Sequence, residues 1–120
     1  MAALTIQTIV EAGLAPSYAA VAAGGDTAKN ENGDVFLHVK NTNGSPRTVT
    51  VTAQRTTATP PGMGATAKAN VAVVVPATTG DMMIGPFATL AFNDANNDLA
   101  ITYSADTGLT IAAVKLPRVA

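Results

Sequence analysis

Alternation restricts this chain more than any other feature. Val35 to Asn41 places Val35, Leu37 and Val39 on one side and Phe36, His38 and Lys40 on the other. That period of two is the repeat of a half-buried strand. Asn43-Gly44 follows as a hairpin cue. Arg47 to Arg55 then answers with Val49, Val51 and Ala53 on one face and Thr48, Thr50 and Thr52 on the other. Threonine suits such a face, since its β-branching favours extended backbone while its hydroxyl tolerates water.

The same pattern recurs along the chain. Lys68 to Val75 is an almost continuous apolar run ended by Pro76, and predicts a strand buried on both faces or set between core and partner. Asp81 to Phe92 predicts two short strands divided at Gly85-Pro86. Leu99, Ile101 and Tyr103 alternate, and Leu109 to Leu116 forms the last strand after a tight turn at Asp106-Thr107-Gly108. Tyr18 to Ala23 reads as a short strand, and residues 24–34 as a polar loop. Leu4, Ile6, Thr8 and Val10 alternate too, as a strand or an extended arm, with a short helix as the rival. The expectation is an all-β fold: an antiparallel β-sandwich, jelly-roll-like, of seven to nine short strands with turn residues about every 10 positions. An immunoglobulin-like sandwich is the rival, without the usual Trp. Residues 1–16 form an N-terminal arm or first strand, and 17–120 one β-sandwich domain.

Composition then narrows the function. The 120 residues carry a formal net charge of -1, no Cys and 12% charged side chains, about half the usual share. No basic excess exists to neutralise phosphates, which argues against a nucleic-acid binder. Without Cys there is no disulfide framework and no thiolate metal site. Hydrophobic residues reach 48%, which argues against disorder. No apolar run approaches the roughly 20 residues of a membrane span, and Met1-Ala2-Ala3-Leu4 has no basic start for a signal peptide. Such a chain folds, yet has too little charge to keep a lone monomer comfortably soluble.

Candidate chemistry is sparse. His38, the only histidine, reads as a sheet-surface or interface imidazole, with a catalytic base as the alternative. No Gly-x-Ser-x-Gly elbow marks a nucleophile. Asp94-Ala95-Asn96-Asn97-Asp98 superficially resembles the start of a calcium loop, but Leu99 stands where Gly is required and Ala105 where a bidentate Glu belongs. A turn capped by Asx side chains fits better. Asn43-Gly44-Ser45 is read as a turn rather than a glycosylation acceptor, Gly24-Gly25 and Gly62-x-Gly64 as loop glycines, and Met82-Met83-Ile84 as core filling. Asp26, Glu31, Asp34, Asp81, Asp94, Asp98 and Asp106 are scattered singly, so no acid–base pair is assignable. The reading is of no enzyme and no cofactor or metal.

Several stretches carry a resemblance: Leu4-Thr5-Ile6-Gln7 through Gly13-Leu14-Ala15-Pro16-Ser17-Tyr18, Gly25-Asp26-Thr27, and Phe36-Leu37-His38-Val39-Lys40-Asn41 running into Thr48-Val49-Thr50-Val51. They are followed by Ile84-Gly85-Pro86-Phe87, Phe92-Asn93-Asp94, Ile101-Thr102-Tyr103-Ser104 and Ile111-Ala112-Ala113-Val114-Lys115-Leu116. In this order they resemble small tailed-bacteriophage capsid decoration (cement, or auxiliary head) proteins. The resemblance covers most of the chain and implies a virion structural protein on the capsid surface, assembled in the bacterial host cytoplasm. It implies a homo-oligomer, with a trimer favoured, whose partner is the major capsid protein, and no catalytic residues. Neither nucleic acid nor membrane is an expected partner. Residues 1–16 would either add a strand to a capsid sheet edge, with Leu4, Ile6 and Ile9 as the capsid or oligomer contacts, or pair within their own domain. A head–tail connector or tail component, and a non-catalytic ligand-binding sandwich, are the alternatives.

Overall fold

A computed structural model describes residues 2–54, 57–58, 66–67 and 69–116, the two central pairs by backbone only. The chain forms β1 (Ala2–Ala3), β2 (Ile6–Thr8), β3 (Ala19–Ala20), β4 (Asp26–Lys29), β5 (Val35–Asn41), β6 (Arg47–Val51), β7 (Thr57–Ala58), β8 (Thr66–Ala67), β9 (Val71–Val75) and β10 (Gly80–Ile84). One helical turn, α1 (Thr89–Phe92), precedes β11 (Asp98–Tyr103) and β12 (Leu109–Lys115). Seven of these strands have four residues or more; β1, β2, β3, β7 and β8 have two or three.

The all-β expectation holds, as two mixed five-stranded sheets. The first runs β1-β4-β11-β6-β9. The second runs β10-β5-β12-β2, with β3 also on β12, and β7 and β8 form a separate two-stranded ribbon. One core is filled from both sheets. Val49, Val51, Leu99 and Ile101 come from the first, and Val35, Leu37, Val39, Leu109 and Ile111 from the second. Each is at most 2% exposed. Fully burying a side chain of this size contributes about 1.5–3 kcal/mol, so these alternating positions select the register.

Four expectations need correction. Pairing is not wholly antiparallel: β1 runs parallel to β4 and β2 parallel to β12. The polar stretch 24–34 contains β4, whose polar ends find partners across the fold and so break the apolar pattern. Residues 87–92 do not make a second strand. After a cis Gly85-Pro86 bond, Phe87 and the Phe92 of α1 are both buried, their rings edge to face at 5.4 Å. Within Tyr18 to Ala23, only Ala19 and Ala20 pair as a strand.

Of the two alternatives for the apolar run ending at Val75, burial on both faces fails, and that burial falls to the last strand instead. β9 is not buried on both faces, because Ala72 and Val74 are exposed while Val75 is buried. β12 is the doubly covered strand, with Ile111, Ala112, Ala113 and Val114 all buried. It lies between β5 on one side and β2 and β3 on the other.

Buried amides tie the ends of the sheets together. Asn41 is 1% exposed. Its Nδ2 lies 3.0 Å from the Ser45 carbonyl, 3.3 Å from that of Val75 and 3.1 Å from that of Pro76, while its Oδ1 accepts from Asn43 N. Asn30 Nδ2 donates to Phe87 O and Asn93 Oδ1, and Asn93 Nδ2 donates back to Asn30 O. Such contacts satisfy carbonyls that no ladder reaches.

Candidate functional site

Sheet register assembles one polar constellation. Alternation along β5 puts His38 and Lys40 on the outer face of the second sheet. On β10, Met83 pairs with His38 and Asp81 with Lys40, so Asp81 is the diagonal neighbour of His38. On the other side Ala112 pairs with His38, and β3 pairs Ala19 with Ile111. One residue before that pair, Tyr18 falls beside Ala112, whose small side chain lets the phenol reach across to the histidine. Gln7 holds the incoming loop, with its Nε2 donating to Ser17 O and its Oε1 accepting from Ser17 N, both at 2.8 Å.

The contacts run in series. Tyr18 Oη lies 2.5 Å from His38 Nδ1, and His38 Nε2 meets Asp81 Oδ1. Because a carboxylate only accepts, Asp81 assigns the ring hydrogen to Nε2 and leaves Nδ1 to accept from the phenol. Lys40 Nζ stands 4.4 Å from the centre of the Tyr18 ring, a cation–π arrangement. The His38 side chain is 12% exposed and that of Asp81 56%. The sheet-surface reading of His38 thus gains two partners. They lie 20 and 43 residues away, at no motif spacing, so only the shared outward facing of residues 36, 38 and 40 was a cue.

The second tyrosine has the opposite surroundings. Tyr103 Oη donates to Asp26 Oδ2 at 2.6 Å, and Asp26 is 1% exposed. Burial, then the hydrogen bond and the charge of Asp26, push the Tyr103 phenol well above its ordinary value of 10.0. A raised pKa favours the fold while the phenol is neutral in both states, and that contribution is lost as alkali ionises it in the unfolded chain alone. Stability is therefore expected to fall above about pH 10. In a phenolate absorbance titration Tyr103 should ionise only as the protein unfolds. Reversible ionisation of both tyrosines in the folded protein would contradict this.

The remaining features are surfaces. By register, the outer face of β11, β6 and β9 presents Ala100, Thr102, Thr48, Thr50, Ala72 and Val74, and its one charged side chain is Asp98 at the start of β11, paired with Lys29. Val74 is 59% exposed. On the second sheet, Met83 and Leu116 are 67% and 58% exposed and line a hollow of about 430 Å³ with Phe36, Ile84 and Pro86. Met82 packs against the core and Ile84 is buried, so the core-filling assignment fails for Met83.

Of the proposed contact residues, Leu4 and Ile6 pack partly buried against the chain's own core. Ile9 is half-buried and its N–H donates to Lys115 O. Around Asp94 the Asx turn is present. Asp94 Oδ1 accepts from Asn96 N and Asp98 N, and Lys29 Nζ reaches Asn96 O at 2.6 Å and Asp98 Oδ1 at 3.3 Å. A protein ammonium thus already engages the oxygens of this loop. Asn43 Oδ1 accepts from Ser45 N in a similar turn. Gly24 sits in the bend before β4, whereas Gly62 and Gly64 lie outside the described residues. Among the described residues no three His, Cys, Asp or Glu side chains cluster as a metal site, and no helix is long and apolar enough to cross a membrane. No family model, curated protein or solved structure matches the chain.

Proposed function

We propose that the protein is a virion structural protein of a tailed phage. In this reading it is a capsid decoration protein that binds the outer surface of the head and bridges major capsid subunits. It acts as a homo-oligomer, with a trimer favoured, and is assembled in the bacterial cytoplasm. The observation that carries the reading is the uncharged stretch Thr102, Thr50, Thr48, Ala72 and Val74 on the outer face of β11, β6 and β9, where the one charged side chain, Asp98 at the start of β11, is paired with Lys29. A monomer gains nothing from keeping Lys and Glu off a solvated face. A subunit that presses the face against a neighbour avoids desolvating charges, and many such weak contacts add through avidity.

The N-terminal segment fits the same reading. Residues 2–3 and 6–8 make only short parallel ladders at the margins of the two sheets. Pairings this short open most easily. Once released, Leu4, Ile6 and Ile9 are the contacts to the capsid or a neighbouring subunit. The finer architectural proposal is a β-sandwich, supported by the single core that both sheets fill. The strand order, β4-β11-β6-β9 with β10-β5-β12, gives no support to a jelly-roll winding.

The test is a double variant, Ala72→Lys with Val74→Lys, both on exposed positions of β9. Stability should change by about 0.5 kcal/mol or less. Co-sedimentation with expanded capsids should fall at least about tenfold, equivalent to about 1.4 kcal/mol, and light scattering should report a smaller oligomer. Wild-type binding by the double variant would remove this face from the interface. A wild-type chain that stayed monomeric and bound neither capsids nor capsid protein would overturn the function.

A further inference from the structure

We infer that Tyr18 is a covalent modification site: a nucleophilic phenol that accepts an acyl group from activated esters, with His38 as its general base and Asp81 as the positioning residue. This inference stands apart from the decoration reading and needs no capsid. It rests on the line Tyr18 Oη, His38 Nδ1, His38 Nε2, Asp81 Oδ1. A weak nucleophile is activated when an adjacent base can take its proton and a third group fixes that base's tautomer. Asp81 does so by accepting from Nε2, which leaves Nδ1 unprotonated and facing the phenol.

Two further observations favour the phenol as the reacting group. The Lys40 ammonium over the Tyr18 ring favours the negative charge that develops as the proton leaves. Tyr18 also lines a hollow of about 410 Å³ whose other walls include Ala3, Ala19, Ala20 and Ala112, small side chains that leave room for an acyl group. Tyr103 serves as an internal control. It donates to a buried carboxylate, and burial keeps it neutral.

The step balances. Tyr18 Oη bonds to the acyl carbon and the carbon–oxygen bond to the leaving aryloxide breaks. The phenol proton passes to His38 Nδ1 and then to the departing aryloxide, so the products are O-acyl-Tyr18 and a free phenol, with His38 neutral again.

The experiment treats the intact protein with p-nitrophenyl acetate and follows p-nitrophenol release together with peptide mapping by mass spectrometry. The expected result is one acetyl group on Tyr18, removable by hydroxylamine, formed faster than on Tyr103 or on N-acetyltyrosine amide in the same buffer. Tyr18→Phe should abolish that label. His38→Gln, which retains hydrogen-bonding ability without a base of imidazole strength, should slow it at least about 100-fold, the scale of general-base assistance. Asp81→Asn should slow it as well, because an amide can donate to Nε2 and reverse the tautomer, and Asp81→Glu should recover part of the rate. Circular dichroism on each variant separates lost reactivity from lost fold, with Tyr103 labelling as the reporter of unfolding. Acetylation confined to lysines, Tyr18 reacting no faster than the free phenol, or an unchanged rate in folded His38→Gln would each overturn the inference.

Discussion

Gly80→Ala is expected to destabilise the protein by about 3 kcal/mol, the upper end of overpacking costs. A Cβ on Gly80 would lie 2.1 Å from the Pro76 carbonyl oxygen and 2.7 Å from Val75 Cγ1. The first is backbone, so no rotamer change relieves it. Gly80 opens β10 opposite Asn41, directly after the turn that carries the chain from β9 in one sheet to β10 in the other. A shift there disturbs both sheets at once. Against the 5–15 kcal/mol typical of whole domains, such a loss is large. Gly44→Ala is the control, because nothing stands within 4 Å of its added Cβ. Urea denaturation of the two variants checks the claim. A Gly80→Ala midpoint equal to that of Gly44→Ala would refute it.

Asn41 carries the second large effect. Asn41→Ala removes the donor shared by the Ser45, Val75 and Pro76 carbonyls and the acceptor for Asn43 N. Each buried group left unpaired costs about 1–3 kcal/mol, so a loss of about 3 kcal/mol is expected. Asn41→Asp is the sharper variant. It has nearly the same shape, yet it aims an oxygen where Nδ2 now faces carbonyl oxygens. At neutral pH it should be no more stable than Asn41→Ala, and amide exchange at Asn43 should accelerate in Asn41→Ala. An Asn41→Asp protein as stable as the wild type would mean that shape, rather than the donated hydrogen bonds, is what this position needs.

Strands were readable in the sequence wherever one face was apolar and the other was not. β5, β6, β11 and β12 follow from Val35-Leu37-Val39, Val49-Val51, Leu99-Ile101 and the run at Ile111, with Asn43-Gly44 marking a turn. β4 was hidden because its buried end is Asp26, whose carboxylate accepts from Ala22 N nearby and from Tyr103, 77 residues away. α1 was hidden because Phe87, Leu90 and Phe92 suit a strand as well as a turn of helix, and only the packing of two phenyl rings decides between them. Burial of β12 on both faces, and the openness of β9, could not be read from their similar apolar runs, since what comes to lie beside Ala112 is Tyr18, brought there by the pairing of β3 with β12.

The candidate sites divide in the same way. The uncharged face of Thr48, Thr50, Ala72 and Val74 was legible, because alternation assigns faces without reference to any partner. The Tyr18–His38–Asp81 line was not, because it depends on β3, β12, β5 and β10 lying in one order and one register.

By itself the sequence determined a chain of short strands and turns, with a charge-poor outer surface, because side-chain direction and solvation are local properties of each residue. Tertiary structure alone decided which strand pairs with which, that β1 and β2 run parallel to their neighbours, and which polar side chains meet. Main-chain hydrogen bonds are the same for every sequence, so partner choice comes from the burial of whole faces, a property of the assembled sheets.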